Sequence, residues 1–361
     1  MTSNDAIADR DEAAPHGRPA SGEHPSTAHS PQVLTYHSPA TDWSSQALPI
    51  GNGRIGASLF GGGAVEGIQL NVDSLWAGAS DYDNALAGVA EDVSDTSMAG
   101  FGTYLSGGRL RIAVTDGAGA DPGTQTPYLR SLDIGAGIHT VAHSTPRGTR
   151  VRRVAYASAD ADVIVCEITA LGPAGPAGSS GAVGSGDAAG TESSSLDLRL
   201  ELVSDHEGTE IEADEGTGQI TAAGTLGNGL EHVAAVRVAA ADGQMSVGGA
   251  FGTRPGVEHA GSACALHITG ARQVRLLIDL GTSYAMSAAD GWRGPSALPA
   301  VTARLDAAAG RDPLELRSAH EQHVTALTSR VSLAWGESTP DVLALPTDRR
   351  LEHYAAGGAD P

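Results

Sequence analysis

The chain has 361 residues, of which 40% are apolar, so it can bury a substantial core as one large domain or two ordinary ones. Its formal net charge is -21, and all 22 of its basic residues are arginine. Such an acidic chain disfavours binding to nucleic acid and to anionic membranes, because both need clustered cations, whereas a neutral carbohydrate is compatible with it.

The amino-terminal segment, residues 1–30, is polar and rich in Asp, Ala, His, Pro and Ser, which predicts a disordered tail. It lacks the basic start and the apolar run of a signal peptide. No stretch of the chain reaches the ~18 consecutive apolar residues of a membrane helix. The sequence therefore predicts a cytoplasmic protein with no membrane partner.

Residues 34–78 alternate short apolar segments with glycine turns, which is typical of a β-meander. An apolar segment at 48–50 runs into Gly51, Asn52 and Gly53. Asn52 and Gly53 predict a hairpin turn, because both residue types tolerate a positive φ. A segment that alternates apolar and polar residues, Ile-Gln-Leu-Asn, follows at 68–71, and the stretch closes at Trp76.

Further short apolar segments recur about every ten residues up to residue 280, which predicts an all-β sandwich. The clearest is 196–203, where leucine occupies every second position. Residues 171–195 are low in complexity and predict a flexible surface loop, because they cannot bury enough apolar area to offset the entropy of ordering. Cys166 and Cys264 lie in strand-like segments and are interpreted as buried thiols, although a disulfide between them stays open.

The pattern changes at Asp312, which with Pro313 and Glu315 has the spacing of a helix start. A helical spacing of apolar positions follows, at His320, Val324, Leu327 and Val331. Another helix is predicted over 297–309, and a last strand over 331–336. We therefore predict a sandwich at 31–290 and a helical linker at 291–361.

Three parts of the opening stretch, at 34–43, 48–56 and 68–76, resemble in order and content the start of glycoside hydrolase family 95, the α-L-fucosidase-like enzymes. Residues 345–351 are similar to that family's linker. The resemblance implies a mainly β fold, a large two-sheet antiparallel supersandwich of the galactose-mutarotase-like type, followed by a short helical linker. It also implies, for the parent enzyme, inverting hydrolysis of terminal α-L-fucosyl or related α-L-galactosyl linkages.

In the resembled family the linker leads into a catalytic (α/α)6 barrel. The chain stops at Pro361, so we expect it to lack the barrel and to be inactive alone, as a gene fragment, a frame-shifted product or half of a split enzyme. The implied partners are that barrel and, in the parent enzyme, a fucosylated glycan. A stand-alone carbohydrate-binding or interaction module is the alternative, and catalysis by a His and Glu pair on a concave sheet face is a third hypothesis.

The family's catalytic acid and base lie in the barrel, and no position here matches them, so no catalytic residue is predicted. Glu66, Asp73 and Glu167 are interpreted as strand-edge or turn carboxylates. No cofactor is predicted. No metal site is predicted either, because the histidines are scattered and the two cysteines do not have metal-ligand spacing.

Five residues of the opening stretch are candidates for the rim of a sugar pocket or for an interface with the barrel: Asn52, Arg54, Asn71, Asp73 and Trp76. For Asn52 and Arg54 the alternative is turn chemistry, with Arg54 paired to a nearby Asp. For Trp76 two interpretations stay open, a platform that stacks on a sugar and a buried side chain at a domain interface.

Overall fold

The structure of the protein is a computed structural model that describes residues 32–78, 102–115, 128–172, 195–249, 264–333, 336 and 338–360. The predicted tail at 1–30 lies outside the described residues, and so does most of the predicted loop at 171–195. Within the described part the chain forms two antiparallel β-sheets followed by short helices, which confirms the predicted fold class.

The two sheets contain nine and seven strands, numbered here along the chain. The nine-stranded sheet has, in spatial order, β1 (Val33–Tyr36), β6 (Leu129–Asp133), β7 (Ile138–Ser144), β8 (Arg150–Ser158), β9 (Val163–Leu171), β16 (Gln273–Thr282), β13 (Glu231–Ala241), β12 (Gln219–Thr225) and β11 (Glu210–Asp214). The seven-stranded sheet has β14 (Gln244–Gly249), β15 (Cys264–Ala271), β10 (Leu196–Val203), β5 (Arg109–Thr115), β4 (Val65–Val72), β3 (Ile55–Leu59) and β2 (Leu48–Gly51).

The main core lies between the two sheets and is built from alternate positions of their strands. On β10 the leucines at 196, 198, 200 and 202 are all buried, whereas Asp197 and Arg199 are half-buried. Alternation places successive side chains on opposite faces of a strand, so one face of β10 is apolar throughout. The strand predicted at 196–203 is confirmed with the same bounds.

Two helices cover the outer face of the nine-stranded sheet, α1 (Leu298–Ala309) and α2 (Pro313–Thr328). Two shorter ones follow, α3 (Pro340–Leu343) and α4 (Thr347–Ala355). From α1, Val301 and Leu305 pack with Leu277 of β16 in a second core cluster. The sheet therefore buries apolar side chains on both of its faces.

Helix α2 begins as predicted, with the side chain of Asp312 accepting hydrogen bonds from the backbone N–H groups of Leu314 (2.9 Å) and Glu315 (3.0 Å). Its buried face differs from the prediction: Leu316 and His320 are buried, whereas Leu327 is exposed. The His320 ring packs on Tyr156 with ring centroids 4.8 Å apart, and its Nε2 lies 3.2 Å from the Gly137 carbonyl oxygen. Only the amino-terminal half of the helix rests on β8.

The predicted last strand is wrong in its described part, since residues 331–333 form no strand and the Val331 side chain is exposed. Cys166 is a buried thiol in β9, and burial raises its pKa to about 12. The thiol of Cys264, at the start of β15, donates to the Ile211 carbonyl oxygen (3.2 Å). In the described part of the chain no helix is long and apolar enough to cross a membrane.

Candidate functional site

The hairpin turn between β2 and β3 forms where the sequence predicts it. Gly53 has a φ of +100°, whereas Asn52 does not have a positive φ. The Asn52 side chain acts instead through its amide oxygen, which accepts hydrogen bonds from the backbone N–H groups of Arg54 (3.1 Å) and Ile55 (3.0 Å). A side-chain oxygen of Asn or Asp that accepts from the backbone N–H two residues later closes a tight turn.

Arg54 extends from this turn to two carboxylates contributed by distant strands. Its Nε lies 2.6 Å from Asp162, in the turn between β8 and β9, and one of its Nη atoms lies 2.6 Å from Asp279 on β16. Arg304 of α1 approaches Asp279 from the other side (2.8 Å). We call Asn52, Arg54, Asp162, Asp279 and Arg304 the Arg54 network. It joins both sheets and the first helix.

The central carboxylate of the network is fully buried. Burial raises the pKa of Asp279 above its usual value, and the charges and hydrogen bonds of Arg54 and Arg304 act in the opposite direction. The amide of Asn52 donates to Asp162 (3.0 Å) and to the Ser158 carbonyl oxygen (3.0 Å). Because their hydrogen-bonding groups are engaged inside the domain, Asn52 and Arg54 serve as structural contacts in this conformation.

Asn71 and Asp73 lie beside the same hairpin. Asn71 pairs with Gly56 across β3 and β4, and a Cβ added to Gly56 would lie 2.7 Å from the Asn71 Oδ1, so a larger residue at 56 would displace the Asn71 side chain. The backbone N–H of Asp73 donates to the Arg54 carbonyl oxygen (3.0 Å), and the carbonyl of Asp73 accepts from the Trp76 indole N–H (2.9 Å). The carboxylate of Asp73 is exposed.

Trp76 is 47% exposed and lines a pocket of about 520 Å³. We call this the aromatic pocket, and its lining residues include Ser74, Trp76, Asn228, Tyr284, Trp292 and Arg293. Three segments meet there: the end of the opening stretch, the turn between β12 and β13, and a loop at 283–294 after β16. Tyr104 packs edge-on against Trp76, with ring centroids 5.4 Å apart. The structure thus places Trp76 at a pocket rather than in the core.

Backbone and side-chain hydrogen bonds hold the three segments of the aromatic pocket together. The Asn228 amide donates to the carbonyl oxygens of Trp76 (3.0 Å) and Gly78 (2.7 Å). Arg293 donates to the Asn228 carbonyl oxygen (2.7 Å), and Thr282 donates to the Ser74 hydroxyl (2.8 Å). The described lining residues include no acidic side chain.

A second buried charge pair lies between the sheets, where Glu66 of β4 contacts Arg153 of β8. Both side chains are fully buried, and burial raises the pKa of Glu66. His139 and His143 on β7 are buried nearby. Among the described residues neither ring has a hydrogen-bond partner for its nitrogens. Burial, with the charge of Arg153, lowers the pKa of His139 to about 3 and of His143 to about 4.

Glu66, His139 and His143 are all buried between the sheets, so none of these three side chains lies on the open concave face that the third hypothesis requires. Glu167 on β9 is half-buried, and burial raises its pKa. The described residues contain no group of three His, Cys, Asp or Glu side chains that could hold a metal ion.

Sequence reasoning identified Trp76 but missed Tyr284, Trp292, Asn228 and Arg293, which come from two segments far away along the chain. One signal was present: aromatic residues make up only 4% of the chain, and Trp292 lies in a glycine-flanked segment with no apolar periodicity. A tryptophan in a loop is a candidate for recognition, because loops carry binding residues on a rigid scaffold.

A family model described as "Glycosyl hydrolase family 65, N-terminal domain" matches residues 34–95 and 80–287, together more than half of the chain. The match includes both sheets and most of the aromatic pocket.

Two curated relatives are similar to part of the chain. "Probable alpha-fucosidase A" of Aspergillus oryzae is 30% identical over 158 residues, which cover 37% of this chain and 21% of the relative. "Alpha-L-fucosidase 2" of Arabidopsis thaliana is 32% identical over 161 residues, which cover 40% of this chain and 19% of the relative. The chain thus spans about a fifth of the length of these relatives. Among solved structures, that of a bacterial glucoamylase complexed with acarbose is 8% identical with a TM-score of 0.44, covering 83% of this chain and 41% of that chain.

Proposed function

This chain belongs to the glycosyl hydrolase family 65 N-terminal domain family, and we propose that it is the β-sandwich part of an α-L-fucosidase-type enzyme of glycoside hydrolase family 95. The observation that carries the proposal is the similarity, at 30% and 32% identity, to two proteins named as fucosidases from a fungus and a plant. The proposed parent reaction is hydrolysis of terminal α-L-fucosyl or related α-L-galactosyl linkages by direct attack of water, with inversion.

The chemistry is proposed to reside outside the sandwich. An inverting glycosidase needs a carboxylic acid and a carboxylate base about 6.5–9.5 Å apart beside the substrate. In the described part of the chain, burial raises the pKa of three carboxyls, Glu66, Asp279 and Glu167. The first two are fully buried, and none of the three lines the aromatic pocket. We therefore propose that an (α/α)6 barrel supplies the acid and the base, whether on the same or on a separate polypeptide.

The exposed side chains of the carboxyl-terminal helices are consistent with contact to such a partner domain. Leu314 and Leu351 are exposed by 78% and 69%, and Val331, Leu333 and Tyr354 are exposed as well. Exposed apolar side chains gathered in one segment are typical of surfaces that contact another protein domain. We propose that α2, α4 and the segment between them contact the barrel.

The proposal is tested by hydrolysis of 4-nitrophenyl α-L-fucoside and 2′-fucosyllactose. The purified chain is assayed alone, and then with a separately expressed barrel from a related α-L-fucosidase. We expect no turnover by the chain alone and a gain in turnover by the barrel when the chain is added. Leu314→Ser combined with Leu351→Ser is expected to reduce that gain, since it removes two exposed apolar contacts. Turnover by the chain alone would place the chemistry in the sandwich and overturn the proposal.

A stand-alone carbohydrate-binding module is the second candidate, and the aromatic pocket is the observation that favours it. Aromatic rings pack on the C–H faces of sugars, and Trp76 and Trp292 are both partly exposed at the pocket. Glycan binding by the chain, with no effect of the chain on the barrel's turnover, would favour this candidate over the first.

A further inference from the structure

The loop at 283–294 holds Trp292 in a conformation that tryptophan rarely adopts. Its φ is +62°, in the left-handed region, and the residue before it, Gly291, has a φ of +61°. A bulky residue with a left-handed backbone costs about 1–2 kcal/mol, because its Cβ approaches the following carbonyl oxygen. Such outliers persist only where the surrounding structure enforces them, and they cluster at functional sites.

Backbone hydrogen bonds enforce this conformation. The N–H of Trp292 donates to the Ser287 carbonyl oxygen (2.9 Å), and the carbonyl of Trp292 accepts from Ala285 (3.2 Å). The N–H of Gly294 donates to the Ser283 carbonyl oxygen (2.7 Å), which closes the loop onto the end of β16. The loop is thus built to present one particular side chain.

Core packing does not explain the conformation, because the Trp292 side chain is 40% exposed and belongs to neither described core cluster. Its indole lines the aromatic pocket with Trp76 and Tyr284. The left-handed backbone at Trp292 is therefore strained, and it places a third aromatic residue at this pocket. That is the pattern expected of a preorganised binding surface.

The polar groups of the pocket suit a ligand that carries hydroxyls. Arg293 donates to the carbonyl oxygens of Trp292 (3.2 Å) and Asn228 (2.7 Å), and a guanidinium has five N–H groups, so donors are left for a ligand. The Ser74 hydroxyl lines the pocket as well. The volume of about 520 Å³ falls within the range of about 300–1,000 Å³ occupied by small-molecule sites.

We propose that the aromatic pocket is a non-catalytic subsite for a neutral pyranoside, held by stacking on Trp76 and Trp292 and by hydrogen bonds from Arg293. The proposal commits to a neutral sugar because the net charge of -21 repels an acidic ligand at long range, and the titration with an acidic sugar tests this choice against the local charge of Arg293. The choice of a fucosylated glycan as ligand rests on the proposed function, whereas the presence of a sugar site rests on the pocket alone.

The test is a titration of the full chain with 2′-fucosyllactose, and with glucuronic acid as an acidic sugar. Calorimetry and tryptophan fluorescence measure the binding. The variants are Trp292→Gly and Trp76→Ala, and the matched control is Trp43→Ala, which removes a tryptophan that is 60% exposed outside the pocket. Glycine relieves the left-handed strain, so Trp292→Gly is expected to fold, and Trp76→Ala tests the other side of the pocket.

We expect saturable binding of 2′-fucosyllactose, a loss of about tenfold or more in affinity for each pocket variant, and a change below about twofold for Trp43→Ala. No saturable binding, equal losses for all three variants, or tighter binding of glucuronic acid would overturn the proposal. Trp292→Gly that weakens binding of the barrel, but not of the sugar, would show a domain contact instead.

The two proposals fail in different ways. Enhancement of barrel turnover without sugar binding by the chain would leave the proposed function standing and remove the subsite. Sugar binding that depends on Trp292, without any effect on the barrel, would remove the fucosidase assignment and leave the subsite.

Discussion

Arg54 and Trp76 come from one stretch of sequence, yet the fold uses them in opposite ways. The guanidinium of Arg54 contacts Asp162 and Asp279, which lie more than a hundred residues away along the chain. The indole of Trp76 uses its single N–H on the Asp73 carbonyl and leaves about half of its surface exposed. The stretch from which the sugar-rim candidates come therefore contains one side chain bound inside the domain, Arg54, and one that is accessible at the surface, Trp76.

The difference follows from the chemistry of the two side chains. A charged group close to a buried carboxylate gains strong hydrogen bonds inside the domain, and losing them leaves an unpaired charge. An aromatic ring gains from covering its faces, and at the aromatic pocket those faces are only partly covered by Tyr104. Ligand binding is thus expected at the pocket, and stability is expected to depend on the interior pairs.

The interior part of the comparison is tested most severely at Glu66. Glu66→Gln leaves the guanidinium of Arg153 fully buried without a counter-charge, so we expect the free energy of unfolding to fall by about 3–5 kcal/mol. Urea unfolding measures the change. Glu352→Gln, in the exposed pair of α4 with Arg349, is the control and is expected to change stability by less than about 0.5 kcal/mol. Equal effects would contradict the assignment of Glu66 to the core.

Arg54 tests whether the turn at 52–54 is structural. Arg54→Met removes hydrogen bonds to two carboxylates, and Arg304 still neutralises Asp279, so we expect a loss of about 2–3 kcal/mol. Arg330→Met is the control, because Arg330 is exposed just after α2 and contacts no carboxylate in the described part of the chain, its side chain donating only to the Ala326 carbonyl oxygen (3.1 Å). If Arg54→Met left stability unchanged but abolished the effect of the chain on barrel turnover, the predicted sugar-rim role would replace the structural one.

The buried histidines predict how stability depends on pH. The pKa of His139 is about 3 and that of His143 about 4 in the fold, against about 6.5 in the unfolded chain. The stability that these two buried neutral histidines contribute is therefore fully present above pH 6.5. It is lost as the pH falls, because the histidines of the unfolded chain bind protons at a higher pH than those of the folded chain. At pH 5 the expected loss is about 2 kcal/mol per histidine.

His143→Leu measures one of these contributions directly. Urea unfolding gives the free energy of unfolding at pH 7 and at pH 5, and the drop between the two pH values defines a slope for each protein. We expect this drop to be smaller by about 2 kcal/mol in the variant than in the wild type. Comparing the two slopes cancels the pH dependence of the other groups. Identical slopes would mean that His143 is accessible to protons in the folded chain.

The smallest expected effect on stability belongs to Trp292. In Trp292→Gly the relief of left-handed strain offsets the lost burial of a half-exposed ring, so the free energy of unfolding is expected to change by less than about 1 kcal/mol. Calorimetric unfolding measures it, with Trp76→Ala alongside. A large fall in the free energy of unfolding would show that Trp292 stabilises the loop itself. Trp292 would then no longer be an example of a side chain held for binding.

Much of the fold could be predicted from local patterns. Alternating leucines predict β10, the turn residues predict the β2–β3 hairpin, and Asp312 with Pro313 predicts the start of α2. Each of these features depends on residues a few positions apart. The buried face of α2 could not be predicted in this way, because it depends on where the helix lies on β8, and Leu327 lies beyond that contact.

The candidate site was predictable only in part for the same reason. Trp76 belongs to a recognisable motif, whereas Trp292, Tyr284 and Arg293 reach the same pocket through the pairing of β16 with β13 and the closure of the 283–294 loop. Nothing in the spacing along the chain relates these segments to one another.

The sequence by itself determined most of the strand pattern, the relationship to glycoside hydrolases and the acidic net charge, since these depend on residue type, order and composition. The tertiary structure alone decided that Arg54 pairs with Asp162 and Asp279 and that Trp76 and Trp292 share a pocket. The physical reason is that such contacts join residues far apart along the chain. Their energies depend on burial and on partner distance, which are set only when the two sheets pack together.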